Sequence, residues 1–157
     1  VKEDQLFNQM NMWRGWTVDY LGTIPEEMAD HIPSGYNNNI RWNAGHILVG
    51  WDHTMFPAIN QKRRLPDSYH RMFPRESKPL DWTEKPPSMD KLIKELAEQA
   101  LFIEEACRGR LDEPLKESFL GMKTVGDMVI FHMNHESLHM GIIKSMKQAL
   151  SVKGVTG

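Results

Sequence analysis

Met128-Val129-Ile130-Phe131-His132-Met133-Asn134-His135-Glu136-Ser137-Leu138-His139-Met140-Gly141-Ile142-Ile143-Lys144-Ser145-Met146 decides the fold. Met128, His132, His135, His139, Ile142 and Met146 recur at steps of four and three, which is one stripe of an α-helix. Thr124 opens that helix, with Asp127 three residues on in a capping-box-like arrangement, and it continues to about Leu150. Three consecutive positions of the inward seam are histidine. Histidine has only an intermediate preference for burial, and a buried ring needs hydrogen-bond partners. Three in a row are expensive as packing alone, whereas a divalent metal satisfies ring nitrogens directly.

His135 and His139 are four apart and project from adjacent turns of one face, so both can reach one ion. His132 with His135 is a weaker pair, and His132 is expected to pack or to support the pair from beside it. His135-Glu136-Ser137-Leu138-His139 also spells H-E-x-x-H, the zinc-protease signature with its glutamate base. Proteases of that kind take a third protein ligand, in the best-known families from downstream. Residues 140–157 hold no His, Asp, Glu or Cys, so the third ligand is expected upstream. Glu136 points about 100° around the helix from His135 and reads as a solvated or dimer-facing residue more than as a base.

The upstream candidates are His46 and His53, seven apart on another helix, so one ion takes only one of them. His46 sits among Asn39, Trp42, Asn43 and Gly50, where small and polar neighbours leave room, and it is the favoured ligand. The metal set is therefore His46, His135 and His139. Three imidazoles leave an open position for water, as catalytic rather than structural sites do. His31 and His70 read as ordinary loop residues.

Three more helices surround the seam. The first spans about Asp4 to Gly22, with Leu6, Met10, Trp13, Thr17, Tyr20 and Ile24 as its stripe, and Pro25 opens one further turn. The second spans about Asn38 to Asn60, with Pro57 ending or kinking it near Phe56. The third follows Ser88 as N-cap, carries Met89, Leu92, Ile93, Leu96, Ala100, Ile103 and Cys107, and ends at Gly109. No run alternates with a strand's period of two. Between helices two and three lies a proline-rich connection, Gln61 to Ser88, that reads as irregular and is long enough to return the length of a helix. These two helices can thus lie parallel. The expected fold is all-α, a four-helix bundle with a long crossover between helices two and three.

The chain has 157 residues and a mass of 18.2 kDa, the size of one domain spanning 1–157. A net charge of −2 argues against a basic nucleic-acid surface. One cysteine against seven histidines excludes a disulfide framework and thiolate-rich zinc sites. No apolar run has the length of a membrane span, and the charged start Val1-Lys2-Glu3-Asp4 lacks the apolar region of a signal peptide. A cytoplasmic location is the expectation.

Trp42-Asn43-Ala44-Gly45-His46-Ile47 and His135-Glu136-Ser137-Leu138-His139-Met140-Gly141 resemble motifs of the DinB/YfiT-like family of bacterial metal-dependent enzymes. The resemblance implies an up-down-down-up bundle, a divalent ion on His46, His135 and His139, and a homodimer. It also implies chemistry with low-molecular-weight thiols such as bacillithiol, since some relatives are thiol-dependent transferases or isomerases. The expected function is thus a metal-dependent enzyme acting on a small molecule, a thiol-dependent S-transferase or hydrolase. Its ion is expected to be zinc or nickel, which imidazole ligands suit. The alternative is a non-catalytic, metal-stabilised ligand-binding or stress-response module. Trp13 and Trp42 are candidates for cavity walls. Lys62, Arg63, Arg64, Arg71, Arg75 and Lys78 read as a solvated loop that could contact an anionic cofactor. Cys107 reads as a buried helix residue.

Overall fold

A computed structural model describes residues 2–152. The chain is mostly helical. The long helices are α1 (Glu3–Leu21), α3 (Ile40–Ala58), α5 (Met89–Cys107) and α6 (Val125–Val152), with short α2 (Glu26–Ala29) and α4 (Asp67–Met72) between them. Each long helix begins where a local donor or acceptor favours it. Asn39 accepts from the Trp42 backbone N–H (2.8 Å), and Ser88 accepts from that of Lys91 (3.2 Å). Thr124 and Asp127 form the expected reciprocal cap, with the Asp127 N–H donating to Thr124 and the Thr124 N–H donating back to Asp127. Pro57 lies in the last turn of α3, where it removes one helix bond, and the helix ends one residue later at Ala58.

The long helices bury one core, with Phe7, Leu21, Ile40, Ile47, Leu48, Trp51, Phe56, Leu92, Leu96, Met128, Ile143 and Met146 all fully enclosed. Helix α3 packs on α6 and α5, and α1 packs on α5 and α6. Asp4 meets Arg108, Asn11 meets Glu104 and Arg14 meets Gln99, so numbers rise along α1 as they fall along α5. Between α3 and α6, Asn43 meets His139 and Thr54 meets His132, again in opposite order. Arg41 meets Pro87 just before α5 and Leu48 meets Gln99 within it, in the same order.

Three expectations need correction. The connection after α3 is not irregular throughout: it forms α4 and a 3₁₀ turn at Pro79–Asp81. It is tied down by Trp82 Nε1 donating to the Met72 carbonyl and Trp42 Nε1 donating to Ser77, both at 2.8 Å. Second, strands exist. A hairpin pairs β1 (Pro114–Phe119) with β2 (Met122–Thr124) through Leu120 and Gly121, whose φ values of 50° and 85° match a two-residue turn with both central residues left-handed. Its alternation is hidden because β1 buries only Leu115. Third, the inward stripe of α1 is Leu6, Phe7, Met10, Arg14, Thr17 and Leu21, with Trp13 and Tyr20 only half-buried. An arginine displaces the aromatic positions because α6 supplies its counter-charge. No helix among the described residues is long and apolar enough to cross a membrane.

Candidate metal centre

Helix α3 carries His46 and helix α6 carries His135 and His139, and the packing of the two brings the three rings together. Their ring centroids lie 5.0, 4.7 and 4.5 Å apart, and one ligand nitrogen from each falls within 4.8 Å of the others. Such a cluster could hold a metal ion. His53, two turns on along α3, is not part of it.

The surroundings prepare the rings for that task. His46 Nδ1 lies 2.7 Å from the Phe73 carbonyl, which can only accept, so Nδ1 carries the proton and Nε2 keeps a lone pair. Gly45 makes this possible: a Cβ there would lie 2.5 Å from the Phe73 ring. The His46 ring also stacks on Trp42 at 4.6 Å. His139 Nδ1 lies 2.8 Å from Asn43 Oδ1. The Asn43 amide donates to Asn38 and to the Asn39 carbonyl, so its oxygen faces His139, and again Nε2 is left bare. Fixing the non-ligating nitrogen this way is what histidine metal sites require. His135 differs: its Nδ1 is buried with no partner. Gly50 lies against that ring, and a Cβ there would meet His135 Cε1 at 3.4 Å, close to ordinary contact.

Burial lowers the pKa of His46, while its bond to Phe73 opposes this. Burial and the neighbouring rings hold His135 down to about 4 and His139 to about 3. All three are neutral at pH 7, the form that ligates. The donor set and the orphaned nitrogen of His135 fit a divalent ion. The triad borders a cavity of about 680 Å³, walled by Trp42, Val49, Phe131, Leu138 and Ile142 and reached by the hairpin residues Phe119 and Leu120.

The family model of the DinB superfamily matches residues 13–143. The chain belongs to the DinB superfamily. A comparison with curated proteins gives no match.

In this DinB-superfamily chain, Glu136 overturns its expectation. It is neither solvated nor at an exposed face: only 2% of it is accessible. It turns away from the triad and takes a two-pronged bond from Arg14 (2.9–3.1 Å), one from Thr17 (2.7 Å) and a longer one from Trp51 (3.4 Å). Burial pushes its carboxyl upward, but the Arg14 charge and these bonds outweigh it and hold the pKa below the usual range. The same geometry removes it as the base of an H-E-x-x-H protease.

His132 packs beside the triad, stacked on Trp51 at 4.6 Å with Nε2 2.6 Å from the Thr54 hydroxyl. Trp42 lines the cavity; Trp13 is not among its walls and stands edge-on to Trp16. Of the crossover cations, Arg75 reaches the cavity edge. Arg71 pairs with Glu84, and Arg64 lies over the Phe102 ring. Cys107 is buried as expected, and burial pushes its thiol up to about 12, which makes it a poor nucleophile. His31 is exposed beside the Glu27 carbonyl, as a loop residue should be. His70 is different: it lies in α4, nearly buried, against Asp52. Asn43, Phe73 and Asp52 as partners of histidines were missed, because each acts across a packing contact that no spacing encodes.

Proposed function

We propose that this DinB-superfamily protein is a metal-dependent enzyme, with His46, His135 and His139 holding a zinc or nickel ion and a small molecule bound in the adjoining cavity. The observation that carries this is the meeting of three neutral imidazoles at the wall of a cavity large enough for an organic substrate. A bound divalent ion would supply a Lewis-acid position where water or a thiol is deprotonated. The chain's own part is to hold the rings by Phe73 and Asn43, to line the cavity with apolar side chains, and to offer Arg75 to an anionic group. That combination suits a thiol-dependent S-transfer, with hydrolysis as the other reaction the same position supports.

The order of contacts along the long helices supports the up-down-down-up bundle that the resemblance implies, with α3 and α5 parallel. The reading takes residues 1–157 as one domain of a cytoplasmic, bacterial homodimer, on the strength of that resemblance.

Elemental analysis of protein purified without added metal tests the site. His46→Ala, His135→Ala and His139→Ala are each expected to lose the ion; full metal content in all three overturns it. Turnover on a panel of thiol-conjugation, ester and amide substrates tests the chemistry. Retained metal without turnover on any of them favours the ligand-binding module.

A further inference from the structure

A second cluster of histidines lines the same cavity. His70 on α4 donates through Nε2 to Asp52 Oδ2 at 3.0 Å, since the Asp52 carboxylate is already an acceptor for the backbone N–H groups of Arg64 (2.8 Å) and Leu65 (3.2 Å). Asp52 is completely buried and the His70 side chain is only 9% exposed. With Nε2–H committed, His70 Nδ1 is a bare lone pair, buried and without a partner. His53, exposed on α3, sets its ring 5.7 Å from that of His70, and both rings line the cavity.

Two features of this pair match the first triad. Ring spacing there is 4.5–5.0 Å, so a shift of about an ångström by the exposed His53 side chain brings the second pair to the same separation. His70 is also backed as two rings of the triad are: His46 by a carbonyl, His139 by an amide oxygen, His70 by a carboxylate. A neutral His70 is favoured too, because burial lowers its pKa and Arg63 and His53 add to this, against the opposing pull of Asp52.

We propose that His70 and His53, with Asp52 behind His70, form a second and weaker site for a divalent ion of the zinc, nickel or copper type. Among the described residues no third His, Cys, Asp or Glu completes it, so water or the cavity's ligand fills the remaining positions. Two imidazoles and the nearby Arg63 charge make it weaker than the triad. His53 and His46 are seven residues apart, so the two sites are offset by about 10 Å along α3. That is too far for a bridged pair, which needs about 3.5–4 Å. The second ion would instead hold an anionic end of whatever the cavity binds.

The site is separable from the triad by metal alone. Equilibrium dialysis of the full chain against zinc, with the metal counted per chain, is expected to reach two ions. His53→Asn and His70→Asn should each remove the weaker one, and His135→Asn should remove the tighter one. Asp52→Asn should weaken the second ion about 10–100-fold, as loss of an outer carboxylate does. His53 is exposed, so His53→Asn carries the test even where a change at buried His70 disturbs folding, which circular dichroism reports. With copper at both sites, dipolar coupling between the ions should report two separate, unbridged ions. Saturation at one ion that is insensitive to His53→Asn overturns the proposal, as does a second ion that survives both His53→Asn and His70→Asn. If the triad is instead empty, one ion remains that His53→Asn removes and His135→Asn does not.

Discussion

Glu136 sits beside a proposed ligand in sequence and serves the opposite side of α6. Its carboxylate and the Arg14 guanidinium are both nearly inaccessible, so each depends on the other to offset lost hydration. Glu136→Leu leaves a buried, unpaired arginine, and the loss expected in urea denaturation is about 3–5 kcal/mol. Arg14→Met combined with Glu136→Leu should recover most of that, since the charges then leave together. Glu136→Gln is expected to keep its metal and any turnover; loss of turnover at unchanged stability would move this residue into the chemistry. Asn43 acts on the other side of the helix. Its oxygen sets the proton of His139 on Nδ1. Asn43→Leu removes that constraint, and zinc affinity should fall about 10–100-fold while the fold persists. An unchanged affinity would mean that His139 needs no such orientation.

At the level of elements, the crossover matters because it delivers a backbone atom. The Phe73 ring lies on Gly45, and the Phe73 carbonyl then meets His46. A Cβ at Gly45 overlaps the ring at 2.5 Å, so Gly45→Ala must push the middle of the crossover away. The expected result is a stability loss of about 1–3 kcal/mol, together with weaker zinc binding. Loss of stability alone, with zinc affinity intact in a calorimetric titration, would separate Phe73 from the site. This coupling also marks the limit of what the sequence reveals. Helical periodicity, with caps at Ser88 and Thr124, announces the four long helices, because those signals are local. The pairing of His135 with His139 is local too, and His46 follows from its small and polar neighbours. What faces the outer nitrogen of each ring is not local: Phe73 lies 27 residues from His46, and Asn43 lies 96 from His139. Arg14 escaped for the same reason, since its inward position is tolerable only because α6 brings Glu136. The hairpin escaped because a strand with one buried residue carries no alternation to read.

For the whole molecule, the buried histidines couple folding to pH. His132 and His139 both have pKa values held down to about 3, chiefly by burial, against 6.5 for an exposed ring. Below pH 6.5 the unfolded chain takes up protons at these two positions and the folded chain does not, so acid favours unfolding. Each such proton costs the fold about 1.4 kcal/mol per pH unit. The two together remove roughly 4 kcal/mol between pH 8 and pH 5. His135 and His46, whose pKa values are also lowered, act in the same direction. A domain of this size commonly has a stability of about 5–15 kcal/mol, so metal-free protein is expected to lose a substantial part of its margin before the carboxylates titrate. Zinc should widen the difference. It binds the neutral rings and stabilises the folded chain at pH 7, but protons compete for the same nitrogens as the pH falls. Urea midpoints measured from pH 8 to pH 4, with zinc and with a chelator, test this directly. The expected result is a decline that begins near pH 6.5 without metal and a zinc increment that shrinks with acid. A metal-free midpoint that stays flat down to pH 5 would mean that these histidines are not buried as neutral rings. His132→Phe separates the two contributions, because it removes one titrating ring that stacks on Trp51 while leaving the proposed ligands in place. Its decline with acid should be shallower than that of the unaltered protein, with the zinc increment at pH 7 preserved.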